Sequence, residues 1–192
     1  YHSEIEHGFE HLRRDSSMGV DGHFVLVLAK ASRSLFHVLG VSRVAGYDHD
    51  KSIQIFRDTT LQVKALHAMG IAHGDLKPRN ILFYEDDAIT LCDLDASVKL
   101  GERRESAVLK CSTAYSPPEL YRSLQREENL VMTEEFDVWS LGVILFEILS
   151  GRHLFAQDIS NDSLIQKQDM RKLCLWSCIN DGDLQTVCNN SS

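Results

Sequence analysis

The chain has 192 residues, 20 Lys and Arg against 28 Asp and Glu for a net charge of −8, with 43% hydrophobic and 25% charged residues. This balance argues against wholesale disorder and suits one domain or a large piece of one. The acidic surplus argues against a non-specific nucleic-acid binder, which needs clustered Lys and Arg to neutralise phosphates. The longest apolar run, 138–149, is interrupted by Ser140, Gly142 and Glu147 and is too short for a membrane span. The chain opens at Tyr1 with no initiating Met and no signal-peptide pattern, which predicts a piece of a longer gene product. Five cysteines, Cys92, Cys111, Cys174, Cys178 and Cys188, form an odd set with no CxxC pair. A disulfide framework or structural zinc is not expected, and reduced thiols point to the cytoplasm, with the nucleus also open.

In chain order, Ile5, Phe9 and Leu12 are spaced like one helical face, and 24–29 is a continuous apolar run that reads as a buried strand. A loose stretch with Gly40, Gly46, Tyr47 and Asp48 follows. From 51 to 69, Ile53, Phe56, Thr60, Val63, Leu66 and Met69 form the stripe of an amphipathic helix stopped by Gly70. Apolar runs at 81–84 and 88–92, parted by Glu85, Asp86 and Asp87, read as a hairpin with an acidic turn. A long polar segment covers 93–118. Residues 134–151 predict a strongly apolar helix ending at Gly151, and 169–179 a further helix.

Between the first helix and the hairpin lies His73-Gly74-Asp75-Leu76-Lys77-Pro78-Arg79-Asn80, and the second hairpin strand ends in Asp93-Leu94-Asp95. A tight loop thus carries a carboxylate, an ammonium and an amide, and a second carboxylate returns beside them across the hairpin. Phosphoryl transfer calls for such a group. One carboxylate accepts the proton of the attacking hydroxyl, a carboxylate and an amide oxygen hold Mg²⁺, and a lysine compensates charge on the transferred group. Position and electrostatics supply most of the rate.

The stretch resembles the catalytic loop of eukaryotic protein kinases, and Asp93-Leu94-Asp95 resembles the Asp-Phe-Gly that follows it. Ser112 to Glu119, with Pro117-Pro118-Glu119 for Ala-Pro-Glu, is similar to the end of the activation segment. Asp137-Val138-Trp139-Ser140-Leu141-Gly142 is similar to the buried helix of the C-terminal lobe, and 24–31 to the last N-lobe strand running into the hinge. The resemblance implies an α+β, protein-kinase-like fold, mainly the helical C-lobe (32–192, incomplete) with an N-lobe remnant and hinge (1–31). It implies Asp75 as catalytic base, Lys77 near the γ-phosphate in the serine/threonine-kinase form of the loop, and Asn80 and Asp93 as Mg²⁺ ligands. The backbone of Ala29 and Ala31 would make the hinge contacts with ATP, and Leu82 the floor of the adenine site. Ser112, or its neighbour Thr113, would offer the hydroxyl that bonds the catalytic Asp. His73 and Trp139 would be structural. Glu119 would pair with a C-lobe arginine, and Asp137 would accept backbone N–H groups of the catalytic loop.

The pattern has departures. Gly74 replaces an arginine that in the family pairs with a phosphorylated activation-segment residue, so that form of regulation should be absent. Leu94 replaces Phe. Asp95 replaces Gly, and Asp tolerates the positive φ such a turn uses. No glycine-rich phosphate loop occurs in the chain. Lys30 mimics the ATP-positioning lysine, but the family carries that lysine on an earlier strand, and the αC glutamate could only be Glu4 or Glu6. The expected function is Mg-dependent transfer of the ATP γ-phosphoryl group to Ser or Thr of protein substrates in the parent protein, with this piece alone inactive. The rivals are a pseudokinase scaffold, against which Asp75, Lys77, Asn80 and Asp93 speak, and an aminoglycoside-kinase-like phosphotransferase, against which Lys77-Pro78 and Pro117-Pro118-Glu119 speak.

Overall fold

A computed structural model of the chain describes residues 28–41, 44–106, 109–165 and 167–189. The chain divides into two units, 1–30 and 31–192. The expected helical face at Ile5, Phe9 and Leu12, most of the run over 24–29, and Glu4 and Glu6 lie outside the described residues. Leu28, Ala29 and Lys30 are irregular and exposed.

The second unit is mixed helix and sheet. In order it holds β1 (Arg33–Ser34), α1 (Leu35–Val41), α2 (His49–Ala68), β2 (Ile71–Ala72), β3 (Ile81–Phe83), β4 (Ile89–Leu91), β5 (Val98–Lys99), β6 (Arg103–Glu105) and α3 (Pro118–Arg126). Then come β7 (Asn129–Val131), α4 (Glu134–Ser150), β8 (Gln157–Asp158), β9 (Ser163–Leu164), α5 (Lys167–Cys174) and α6 (Asp181–Asn189). Single 3₁₀ turns cover Pro78–Asn80, Leu94–Ala96 and Thr113–Tyr115. No helix among the described residues is long and apolar enough to cross a membrane.

α2 begins where Asp48 accepts the Lys51 N–H at 2.9 Å, a side-chain cap that satisfies a free helical donor. Its buried face is Ser52, Ile55, Thr59, Val63 and Leu66. The expected stripe is corrected: Ile53 and Met69 are exposed, at 45% and 67%. Two inward positions are filled by hydroxyls rather than hydrocarbon. Thr59 donates to Ile55 O at 2.8 Å, so its polar atom is satisfied within the helix and its methyl can pack.

The loose stretch after residue 31 is in part helical. Leu35 and Val38 of α1 are buried, and the Ser34 hydroxyl accepts the His37 N–H at 3.4 Å across the first turn. β3 and β4 form the expected antiparallel hairpin, pairing Ile81 with Leu91, Leu82 with Thr90 and Phe83 with Ile89. β1 adds to its free edge, with Ser34 opposite Leu82. At the acidic turn, Asp87 sits at φ 59° and takes Lys51 at 3.3 Å and Arg33 at 2.7 Å. Lys51 first, then Arg33, holds its carboxyl below the usual range.

α4 is buried on nearly all sides, from Phe136 to Ser150, as its continuous apolar sequence requires. Acidic residues Glu134, Glu135 and Asp137 fill its first turn, where the helix dipole favours negative charge. The main core joins α2, α4 and the three-stranded sheet through Ile55, Val63, Ile81, Phe83, Ile144 and Ile148. A smaller core of Ala72, Val98, Leu120, Met132 and Phe136 lies under β2, β5 and α3. The expected helix over 169–179 ends at Cys174. Arg122 Nε donates to Cys174 O at 2.9 Å, and Trp176 turns edge-on against Trp139 and Phe155, at 5.4 and 5.6 Å between ring centres.

One buried polar group ties α4 to the segment before α3. The Tyr115 hydroxyl lies 3.0 and 3.1 Å from the two carboxylate oxygens of Glu147, which is 4% exposed. Burial pushes the Tyr115 pKa up, so its hydroxyl stays a donor. His153 Nδ1 lies 2.8 Å from Glu147 Oε1, and that hydrogen bond raises the imidazole pKa above 6.5. A raised histidine pKa contributes stability that is full below the unfolded value of about 6.5 and is lost as pH rises through the higher folded value. His153→Gln should therefore lower the melting temperature at pH 5.5 more than at pH 8.5. Equal losses in thermal melts at the two pH values would refute the pairing.

Candidate active site

The loop 73–80 is hung from α4. Asp137 is fully buried, and its carboxylate accepts the backbone N–H of His73 at 2.8 Å and of Gly74 at 3.0 Å, with His67 Nε2 at 2.7 Å. A buried carboxylate is stable only when its oxygens are filled in this way. His73, also fully buried, places Nε2 3.0 Å from Cys92 O and so joins the loop to the end of β4. Gly74 stands at φ +78°, and a Cβ built there would meet Ala96 O at 2.5 Å. The loop and the Leu94–Ala96 turn touch main chain to main chain.

Asp75 and Lys77 face each other, with Lys77 Nζ 2.9 Å from Asp75 Oδ2. Asn80 Nδ2 donates to Asp75 O at 2.9 Å and reaches Asp75 Oδ2 at 3.4 Å. From the far side, Ser112 N–H donates to Asp75 Oδ1 at 2.6 Å, and Lys77 Nζ donates to Ser112 Oγ at 2.8 Å. Of the two hydroxyl candidates, Ser112 is the one at the loop, and its hydroxyl meets the lysine while its main chain meets the aspartate. Thr113 Oγ1 turns away and accepts the Leu164 N–H at 2.9 Å.

Asp93 is brought to the loop by the Cys92 N–H, which donates to Asn80 O at 3.0 Å. Its backbone is left-handed, at φ 62° and ψ 67°. The positive φ expected at Asp95 is therefore at Asp93 instead, because Asp95 lies inside a 3₁₀ turn that needs negative φ. Leu82 is half-buried on β3. Ala31 leads into Ser32, whose N–H donates to Phe83 O at 2.8 Å. Ala29 lies in exposed irregular backbone.

The donors fit a hard cation. The Asn80 amide nitrogen is spent on Asp75, which leaves its oxygen as the free end, and the exposed Asp93 carboxylate has no protein partner among the described residues. Carboxylate and amide oxygens are the ligands Mg²⁺ takes.

Two side chains that sequence reasoning left out join this group. Asp162, from the β8–β9 turn, puts Oδ2 3.2 Å from Arg79 Nε and 3.7 Å from Lys77 Nζ. Arg79 also donates to Ile159 O at 2.5 Å and lies 3.7 Å over the Phe36 ring of α1. Arg79 could have been noticed from its place inside the motif. Asp162, among Ser and Asn in a polar turn, carried no signal.

A family model described as Protein kinase domain matches residues 10–190. The chain belongs to the eukaryotic protein kinase family. It is 33% identical over 129 residues to the serine/threonine-protein kinase PEPKR2 of Arabidopsis thaliana, covering 67% of this chain and 25% of that protein. It is 38% identical over 100 residues to the glycogen synthase kinase-3 homolog YGK3 of Saccharomyces cerevisiae, covering 52% and 25%. The chain thus spans about a quarter of the length of these curated relatives. A solved chain of the yeast RNA Pol II CTD kinase CTDK-1 complex matches with a TM-score of 0.57 at 23% identity, over 69% of this chain and 42% of that one, which shows the kinase-like fold.

In this kinase domain, part of the segment between Asp93 and Pro118 is held by main-chain pairing. β6 runs antiparallel to β7, with Arg103 opposite Val131 and Glu105 opposite Asn129. Gly101 N–H to Met132 O and Met132 N–H to Glu102 O, at 2.8 and 2.9 Å, extend the ladder. Next to it, buried Ser106 donates to Glu128 O at 2.8 Å and lies 2.7 Å from Ser123 Oγ. Glu119, expected to pair with an arginine, has no ion-pair partner among the described residues; the nearby Arg122 is spent on Cys174 O and Trp176 O.

Proposed function

We propose that this chain carries the phosphoryl-transfer machinery of a protein serine/threonine kinase, moving the γ-phosphoryl group of ATP to a Ser or Thr hydroxyl. The observation that carries the proposal is the Asp75–Lys77–Ser112 arrangement, a carboxylate and an ammonium held face to face at 2.9 Å under the activation segment. Asp75 accepts the proton as the hydroxyl oxygen bonds to the γ-phosphorus and ADP leaves. Lys77 changes partner from Asp75 and Ser112 to the transferred group, whose charge it balances. Asn80 and Asp93 would hold Mg²⁺, which supplies charge neutralisation on the phosphates when bound. Leu82 and the backbone of Ala31 would receive the adenine.

The test is transfer of label from γ-labelled ATP by the full-length protein, offered protein substrates, aminoglycosides and choline in parallel. Labelled phosphoserine or phosphothreonine supports the proposal. Labelled small molecule alone, or no transfer, overturns it. The 192 residues themselves hold no glycine-rich loop to cover the phosphates. Millimolar Mg·ATP should leave the melting temperature of this chain unchanged, because ligand far below its Kd adds nothing through RT ln(1 + [L]/Kd). A clear thermal shift would show that the chain supplies its own phosphate clamp.

A further inference from the structure

We propose that Asp162 is a positioning residue for Lys77, a second counter-charge that holds the ammonium between the base and the activation segment; the catalytic side of this inference rests on the phosphotransfer reading. Asp162 combines two features that each cost free energy. Its carboxylate is buried, with the residue 4% exposed, and its backbone is left-handed at φ 53°, which a residue with a Cβ adopts reluctantly. An asparagine would carry neither a buried charge nor a greater backbone cost. Strain of this kind persists only where the surroundings over-determine it, and it concentrates at functional sites.

The surroundings do over-determine it. The carbonyl of Asp162 accepts the Ala114 N–H at 3.1 Å, and two residues on, the Leu164 N–H donates to Thr113 Oγ1 at 2.9 Å. The turn is thereby clamped to the residues that follow Ser112. The turn is also closed by its own side chains, with Asp158 accepting the Ser160 N–H at 2.9 Å and Asn161 the Ser163 N–H at 3.1 Å. On the other side, Arg79 Nε lies 3.2 and 3.4 Å from the two Asp162 oxygens, and Phe36 backs the guanidinium. A carboxylate fixed this firmly stands 3.7 Å from Lys77 Nζ.

The effect on Lys77 follows from charge. Asp75 and Asp162 balance Lys77 and Arg79. Without Asp162, Lys77 keeps one carboxylate instead of two and binds Asp75 more firmly, while Arg79 loses its one ion-pair partner among the described residues. With Asp162 in place the ammonium has a second carboxylate at 3.7 Å beside the one at 2.9 Å, and it can turn from Asp75 to an incoming phosphoryl group while staying next to a counter-charge.

The test uses Asp162→Asn, which keeps the volume and tolerates the left-handed backbone, and Asp162→Gly, which relieves the backbone entirely. In the 192-residue chain, the ¹⁵N ammonium resonance of Lys77, assigned by its disappearance in Lys77→Met, should shift and its protons should exchange faster with water in both variants. An unmoved Lys77 resonance in both overturns the proposal whether or not the protein is an active kinase. In the full-length protein, Asp162→Asn should lower kcat roughly ten- to a hundred-fold, the scale of a misplaced catalytic group, with KM for ATP nearly unchanged. On the Lys77→Met background it should change little further, since the two residues act as one unit. A full additional loss on that background, or wild-type kcat in the single variant, overturns the catalytic role. Absence of transfer by the wild-type protein counts against the phosphotransfer reading alone, and leaves the resonance to decide the contact.

Discussion

Asp75→Asn in the full-length protein should lower kcat by roughly 10²–10⁴-fold, the usual worth of a placed general base, while nucleotide binding persists. The substitution is conservative where it needs to be. An asparagine oxygen can still accept the Ser112 N–H that now reaches Asp75 Oδ1 at 2.6 Å, and the Asn80 amide can still donate to the carbonyl of residue 75. What disappears is the proton acceptor and the charge opposite Lys77 at 2.9 Å. Single-turnover kinetics with a peptide substrate, alongside equilibrium binding of Mg·ATP, separates the two. An unchanged kcat would remove Asp75 from the base position, and lost binding with normal turnover at saturation would make it a nucleotide contact instead.

Gly74→Ala should destabilise the domain, and so should Gly74→Arg, which installs the residue usual in the family. Both place a Cβ on a backbone at φ +78°, a conformation that costs about 1–2 kcal/mol for an L-residue. Both also drive that atom to 2.5 Å from Ala96 O, a main-chain oxygen that cannot rotate away. Together these should exceed about 2 kcal/mol, or a fall of roughly 4–8 °C in melting temperature for a chain of this size. Gly101→Ala is the control. It shares a positive φ of +83°, but nothing lies within 4 Å of the added methyl, so only the backbone cost remains. Calorimetry on the three variants decides. Equal losses at 74 and 101 would mean that the contact with Ala96 plays no part. Because Ala96 ends the turn that Asp93 begins, Gly74→Ala should also displace Asp93, the residue proposed above to hold Mg²⁺.

The grouping of Asp75, Lys77, Asn80 and Asp93 is legible because it is local: the first three lie within six residues, and Asp93 is returned to them by a hairpin whose alternation and acidic turn are visible in the sequence. α4 was legible because a helix buried on most sides must be apolar throughout. Failures came where tertiary contact decided. In α2 the inward face is part hydroxyl, so the hydropathy pattern marks a stripe that includes the exposed Ile53 and Met69. α1 has Gly40 in its only two turns, and it is held by docking Leu35 and Val38 rather than by propensity. Asp95 stands where the family has glycine, yet the left-handed residue is Asp93, a matter of where the 3₁₀ turn starts. Asp162 was beyond reach, since its meaning depends on Arg79 and Lys77, more than eighty positions earlier, and nothing local marks it.

The pairing of β6 with β7 bears on how the activation segment answers to its solvent. A segment tethered by a phosphate to an arginine is held by opposite charges near the surface, and salt weakens it: the screening length falls from about 10 Å at 0.1 M to about 3 Å at 1 M. The bonds from Gly101 to Met132, through the paired strands, link uncharged amides and carbonyls, and Ser106 adds a neutral hydroxyl beneath them. Ionic strength has little purchase on such bonds. Amide protons of Gly101 and Met132 should exchange with solvent deuterium equally slowly in dilute buffer and in molar sodium chloride.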